Sequence, residues 1–164
     1  MRRTVLAATA AAVLVALAST ASAAPDRSVA LSHDSRTASW TGAMGVGTYV
    51  GSPAAYDLVT RCQEAVHGCD ETLLRITTPG ALSVRVEEKT NVAPSDFRWL
   101  KVHLYRSDAS GRVGEREPNT KLRGAADSKE LTVERVTPGY YLVQVEYMEG
   151  LGEYSARATL RPGR

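Results

Sequence analysis

From Thr37 onward the apolar residues of this chain recur at every second position, and that period limits what it can fold into more than any other feature. Leu82, Val84 and Val86 alternate with Ser83, Arg85 and Glu87, and Leu100, Val102 and Leu104 with Lys101, His103 and Tyr105. The same rhythm runs through Leu131 and Val133, through Tyr141, Val143, Val145 and Tyr147, and through Tyr154, Ala156, Ala158 and Leu160. Period two puts alternate side chains on one face of a strand; a helix would repeat at about 3.6 residues. Thr72 to Thr77, centred on Leu73-Leu74-Arg75-Ile76, is predicted as another strand, with an early one around Ala38-Ser39-Trp40 and one around Tyr56 to Thr60.

Turn chemistry separates these runs. Thr78-Pro79-Gly80 and Thr137-Pro138-Gly139 each place Pro-Gly just ahead of a strand, which predicts type II turns. Asp108-Ala109-Ser110-Gly111 closes one strand, and Gly150-Leu151-Gly152 joins the last two. Gly42, Gly45 and Gly47 are in the wrong order for a dinucleotide fingerprint and read as a loop. Repeated alternating strands with turns between them predict antiparallel sheets packed face to face: an all-β, jelly-roll-like antiparallel β-sandwich forming one domain. Its span is residues 37–161, after a flexible arm at 25–36 and before a short tail at 162–164. For the arm, an edge strand laid on the domain is the alternative. Val92 to Arg98 and Ser107 to Ser128 are less regular, and exposed connections of this kind are where contact residues are expected.

The first 24 residues carry a different signal. Arg2 and Arg3 precede a run of Ala, Val and Leu, and Ala21-Ser22-Ala23 supplies small residues at a cleavage site. This predicts a secretory signal peptide over 1–24, with the protein secreted and without a membrane anchor. The full chain has 20 Lys and Arg against 18 Asp and Glu, and the leader holds two of the basic residues and no acid. The mature chain is therefore formally neutral, which gives no support for a nucleic-acid partner.

In an exported chain, Cys62 and Cys69 are expected to form a disulfide around the short loop that contains His67. A zinc site on these three residues is disfavoured, because structural zinc normally takes four protein ligands. His103 reads as a solvated residue on the polar face of its strand. No nucleophile elbow, phosphate-cradling loop or zinc-protease motif is present in the sequence. Asp70, Glu71, Asp96 and Asp108 are candidate calcium ligands by residue type, with turn formation and surface charge as the alternative. Trp99, His103, Tyr105 and Tyr140 are candidate surface contacts.

Several ordered motifs together resemble the bacterial pre-peptidase C-terminal domain, in particular a stand-alone actinobacterial version. They are Trp40-Thr41-Gly42, Cys69-Asp70-Glu71-Thr72-Leu73-Leu74 and Pro79-Gly80-Ala81-Leu82-Ser83-Val84. Ser95-Asp96 and Val102-His103-Leu104-Tyr105-Arg106-Ser107-Asp108 follow, then Glu130-Leu131-Thr132-Val133 and Pro138-Gly139-Tyr140-Tyr141-Leu142-Val143-Gln144-Val145. The resemblance covers roughly Ala38 to Leu160. It implies a secreted, non-catalytic β-sandwich that acts as a binding or accessory module for an extracellular protein or a cell-wall or matrix polymer. Calcium and collagen binding, which occur in related domains, are not carried over. Lys101 stands where the family often has an aspartate before the Val102-His103-Leu104-Tyr105 strand. Two other readings are a small hydrolase using converging carboxylates and a purely structural envelope protein.

Overall fold

The computed structural model describes residues 25, 27–47, 62, 68–91, 100–118, 120–124, 128–147 and 150–163. The leader over 1–24, the strand expected at Tyr56 to Thr60, His67 and the stretch Val92 to Arg98 lie outside the described residues. Ten strands are present among the described residues: β1 (Arg27–Leu31), β2 (Thr37–Gly47), β3 (Gly68–Ile76), β4 (Gly80–Asn91), β5 (Leu100–Ser107), β6 (Val113–Arg116), β7 (Thr120–Arg123), β8 (Ser128–Val136), β9 (Gly139–Tyr147) and β10 (Gly150–Pro162).

They form two five-stranded sheets. Sheet A runs β1-β3-β9-β5-β6 and sheet B runs β2-β10-β4-β8-β7. Every pair is antiparallel except β1 with β3. The order follows from one long ribbon rolled on itself. β2 pairs with β10, β3 with β9, β4 with β8 and β5 with β6, and the roll closes where β10 meets β4 and β9 meets β5. That is a jelly roll, with β1 and β7 added at two of its edges.

The inward phases of the strands are the apolar phases of the sequence. Leu82, Val84 and Val86 of β4, Leu100, Val102 and Leu104 of β5, Tyr141, Val143 and Val145 of β9, and Tyr154, Ala156, Ala158 and Leu160 of β10 join one buried core. Tyr141 is pinned within it, since its hydroxyl donates to Thr137 O at 2.9 Å. This backbone tie four residues upstream resembles the tyrosine corner of other sandwiches.

Three local expectations are corrected. The arm at 25–36 contains an edge strand: β1 pairs in parallel with β3, and Leu31 is wholly buried. Gly42, Gly45 and Gly47 belong to β2 and not to a loop. Gly80 does not have the positive φ that a type II turn requires; it is needed for close approach, because a Cβ there would overlap Arg161 O across the β4–β10 ladder. The Ser107 to Ser128 stretch does cross between sheets, placing β6 at the margin of sheet A and β7 at the margin of sheet B.

Candidate functional site

Adjacent residues of a strand point to opposite faces, and β3 shows the consequence. Asp70 points into the sandwich and Glu71 points away from it, and both are buried. Asp70 is met by Arg27 of β1, whose Nη1 donates to Oδ1 at 2.9 Å and to Oδ2 at 3.0 Å. The same Nη1 donates to the Tyr154 hydroxyl at 3.0 Å. Burial alone lowers the Arg27 pKa, but the hydrogen bond and charge of Asp70 outweigh it and hold the guanidinium above its ordinary value. Burial, reinforced by the Asp70 charge, pushes the Tyr154 phenol well up, so it stays protonated. The cluster fits because position 42 is glycine: a Cβ there would overlap both Asp70 Oδ2 and the Tyr154 ring.

On the other side of β3, Glu71 Oε1 accepts from the Cys62 backbone N–H at 2.9 Å and from Gln144 Nε2 at 3.0 Å. Cys62 is joined to Cys69 by the expected disulfide, with Cα atoms 5.1 Å apart. A disulfide of this kind persists in oxidising compartments. The outward face of sheet A is thus buried around β9, from Glu71 and Leu73 to His103 and Tyr105, while Arg75 towards its edge is exposed. Leu73, Leu142 and Tyr105 form a second apolar cluster there, with Tyr140 packed against it.

This corrects two proposed surface contacts. His103 and Tyr105 are buried, at 9% and 6% exposure. His103 Nε2 is 3.7 Å from Glu146 Oε2, and its ring lies 6.0 Å from that of Tyr105. Among the described residues neither ring nitrogen of His103 has a hydrogen-bond partner, so none of them places a hydroxyl or thiol for it to activate. Tyr140 is half-buried. Trp99 lies outside the described residues.

The calcium candidates do not meet among the described residues. Asp70 and Glu71 occupy opposite faces. Asp108 follows Ser107, which pairs with Tyr140, whereas Asp70 pairs with Val145. Asp108 is thus about six residues from Asp70 along the sheet, about 20 Å at strand rise. Asp108 instead ties its own turn, accepting from Ser110 N at 2.9 Å and Arg112 N at 3.1 Å. The hydrogen bond from the Ser110 side chain, then the one from the Arg112 backbone, hold its carboxyl below the usual range. Asp96 lies outside the described residues. No group of three potential metal ligands occurs among the described residues.

The outward face of sheet B is different, being polar and open. Cross-strand neighbours along one row are Ser39, Arg157, Arg85, Glu130 and Arg123. The row on one side is Thr41, Ser155, Glu87 and Ser128; on the other it is Thr37, Thr159, Ser83, Thr132 and Lys121. A depression of about 790 Å³ crosses β2, β10 and β4, and its polar lining is Ser39, Thr41, Ser155, Arg157, Arg85 and Glu87. Arg85 Nε pairs with Glu87 at 2.7 Å, and Ser83 Oγ donates to Glu130 at 2.7 Å. Arg157 is exposed and meets no acid among the described residues. Sequence reasoning missed this surface. The signal was the outward phase of β10, Ser155, Arg157, Thr159 and Arg161, but the meeting with Arg85 required the register between β10 and β4.

No protein-family model matches the chain, and no curated protein matches it. Among solved structures, it is similar to the pre-peptidase C-terminal domain of a collagenase from Bacillus anthracis: 12% identity, TM-score 0.47, covering 82% of this chain and 97% of that one. It is also similar to PliG of Aeromonas hydrophila, a periplasmic inhibitor of g-type lysozyme: 11% identity, TM-score 0.38, covering 82% of this chain and 98% of that one. At these values neither likeness assigns a ligand or an activity to this chain.

Proposed function

We propose that this protein is a secreted, non-catalytic binding module for an extracellular polymer or protein, and that its contact surface is the outward face of sheet B. The observation that carries the reading is the contrast between the two outward faces. On sheet A the outward polar groups are buried and already partnered: Glu71 accepts from Cys62 and Gln144, and Glu117, just after β6, is buried and pairs with Arg106 at 3.1 Å. On sheet B, Ser39, Thr41, Arg85 and Arg157 line a depression and are exposed, with Ser155 half-buried between them. Specific polar groups around a concave surface are what a ligand site needs. The Cys62–Cys69 disulfide and the leader over 1–24 support an extracellular setting.

Two features weigh against catalysis. His103 sits buried beside Glu146 and has no hydrogen-bonded nucleophile among the described residues. Asp70 is neutralised inside the sandwich by Arg27. The test is binding of the purified mature chain to purified envelope polymers and secreted proteins of its own producing cell. Ser155→Trp fills the depression and is expected to weaken capture about tenfold, a difference of roughly 1.4 kcal/mol, with the melting temperature unchanged. Undiminished binding by this variant, or turnover of the captured ligand, overturns the proposal.

A further inference from the structure

We infer that Arg157 and Arg85 form an anion-reading pair, and that the ligand of this face is an acidic polysaccharide, a hydroxyl-rich chain bearing carboxylates. The inference rests on the outward face of sheet B being the contact surface. Its first support is a charge arrangement that the fold does not need. Arg157 of β10 and Arg85 of β4 are direct cross-strand partners. Like charges placed opposite each other disfavour strand pairing. Glu87 pairs with Arg85 from the same strand, while among the described residues Arg157, diagonal to Glu87, makes no ion pair of its own. A bound anion would supply one.

The second support is the chemistry around the pair. A guanidinium is a planar fork that matches a carboxylate through two parallel hydrogen bonds. Ser39, Thr41, Ser155 and Thr159 set hydroxyls around it, suited to a chain that itself carries hydroxyls. No exposed aromatic ring stands on this face among the described residues, since Trp40 is buried, so recognition there is by charge and hydrogen bonding. The third support is spacing. Strands in a sheet lie about 4.8 Å apart, so a chain crossing them meets Arg157 and Arg85, then Glu130, which accepts from Ser83, and then Arg123 about 10 Å beyond Arg85. Arg161 adds a fourth cation on the same face, about 13 Å along β10 from Arg157. Repeated cations suit a polymer with repeated acids.

The experiment measures Kd of the mature protein for alginate, a polyuronate, beside dextran as a neutral polymer and polyphosphate as a non-carboxylate anion. The expected result is binding to alginate over both others, weakening with salt. Arg157→Ala should raise Kd at least about tenfold, and Arg157→Lys should recover only part of the loss, because it keeps the charge but not the fork. Arg116→Ala, on β6 of the other sheet, should change nothing. Equal retention on dextran, tighter retention on polyphosphate, or equal loss with Arg116→Ala overturns the inference. If alginate does not bind while Ser155→Trp still abolishes capture of another partner, the acidic-polysaccharide assignment falls and the contact face stands.

Discussion

Arg27, on the first strand, reaches Asp70 on the third with one nitrogen lying 2.9 and 3.0 Å from the two carboxylate oxygens. The pair closes the parallel β1–β3 edge of sheet A over the end of the core, and the same nitrogen also holds the Tyr154 hydroxyl of sheet B. It therefore fastens an edge strand and bridges the two sheets at once.

Removing the Arg27 side chain leaves a buried carboxylate without its cation. Breaking a fully buried pair costs about 3–5 kcal/mol. Arg27 keeps 25% exposure, so water screens part of the interaction. Arg27→Ala is expected to lower stability by about 2–3 kcal/mol in chemical denaturation, with Arg27→Lys recovering part of the loss. A change below about 0.5 kcal/mol, typical of an unimportant surface substitution, would show that β1 is held by its backbone ladder alone.

The Tyr154 phenol gives a pH signature of defined sign. Its pKa is raised in the fold by burial and by Asp70, above the unfolded value near 10. The folded state keeps the proton where the unfolded state releases it, so the contribution is full below about pH 10 and is lost as pH rises towards the folded value. Stability should fall with pH above about 10, and Tyr154→Phe should flatten that fall. At neutral pH the same variant should cost about 1–2 kcal/mol, because Arg27 loses an acceptor. Denaturant titrations at neutral and alkaline pH check both parts; an unaltered alkaline slope would assign the titration to other groups.

The core was readable because its strands alternate cleanly. Val84, Val102, Val143 and Ala158 face inward as their phases require. Alternation tells which residues share a face, but not whether the polar face is wet. Alternation alone assigns His103 and Tyr105 to solvent, yet Tyr105 packs with Leu73 and Leu142, apolar residues in the outward phase of their own strands, and the His103 ring lies 6.0 Å from that of Tyr105. Those two leucines were the available sign that something covers sheet A. β1 was obscured because only Leu31 of its five residues is fully buried. The Arg157–Arg85 contact was out of reach for another reason: it joins strands about 70 residues apart, and only the rolled topology sets their register.

The disulfide should matter to stability more than to fold. It closes a loop over a sequence separation of 7, which in the chain-entropy treatment is worth about 2.5 kcal/mol. Cys62 also supplies the backbone N–H that donates to Glu71, and that bond depends on Cys62 staying beside β3. Cys62→Ser is expected to lower the melting temperature under oxidising conditions and to leave the β circular-dichroism spectrum intact. Equal melting of variant and parent would mean that the strand ladders supply the stability without the cross-link.

Val143 tests the assignment of faces at the centre of the molecule. It lies on β9, the middle strand of sheet A, between Thr72 of β3 and Leu104 of β5, and it is fully buried. An aspartate there would have to lose its hydration in an apolar interior or take up a proton, and burying a polar group without a partner costs several kcal/mol. Native domains have a total stability of about 5–15 kcal/mol. Val143→Asp is therefore expected to abolish soluble secretion, whereas Val143→Ile should be secreted normally with a small change in melting. The neighbouring Gln144→Ala is a sharper control, because Gln144 is also buried but faces the Glu71 side of the sheet. It should be secreted with a loss of about 1–3 kcal/mol from the deleted hydrogen bond. Normal yield of Val143→Asp together with failure of Gln144→Ala would mean that the two faces of β9 are reversed.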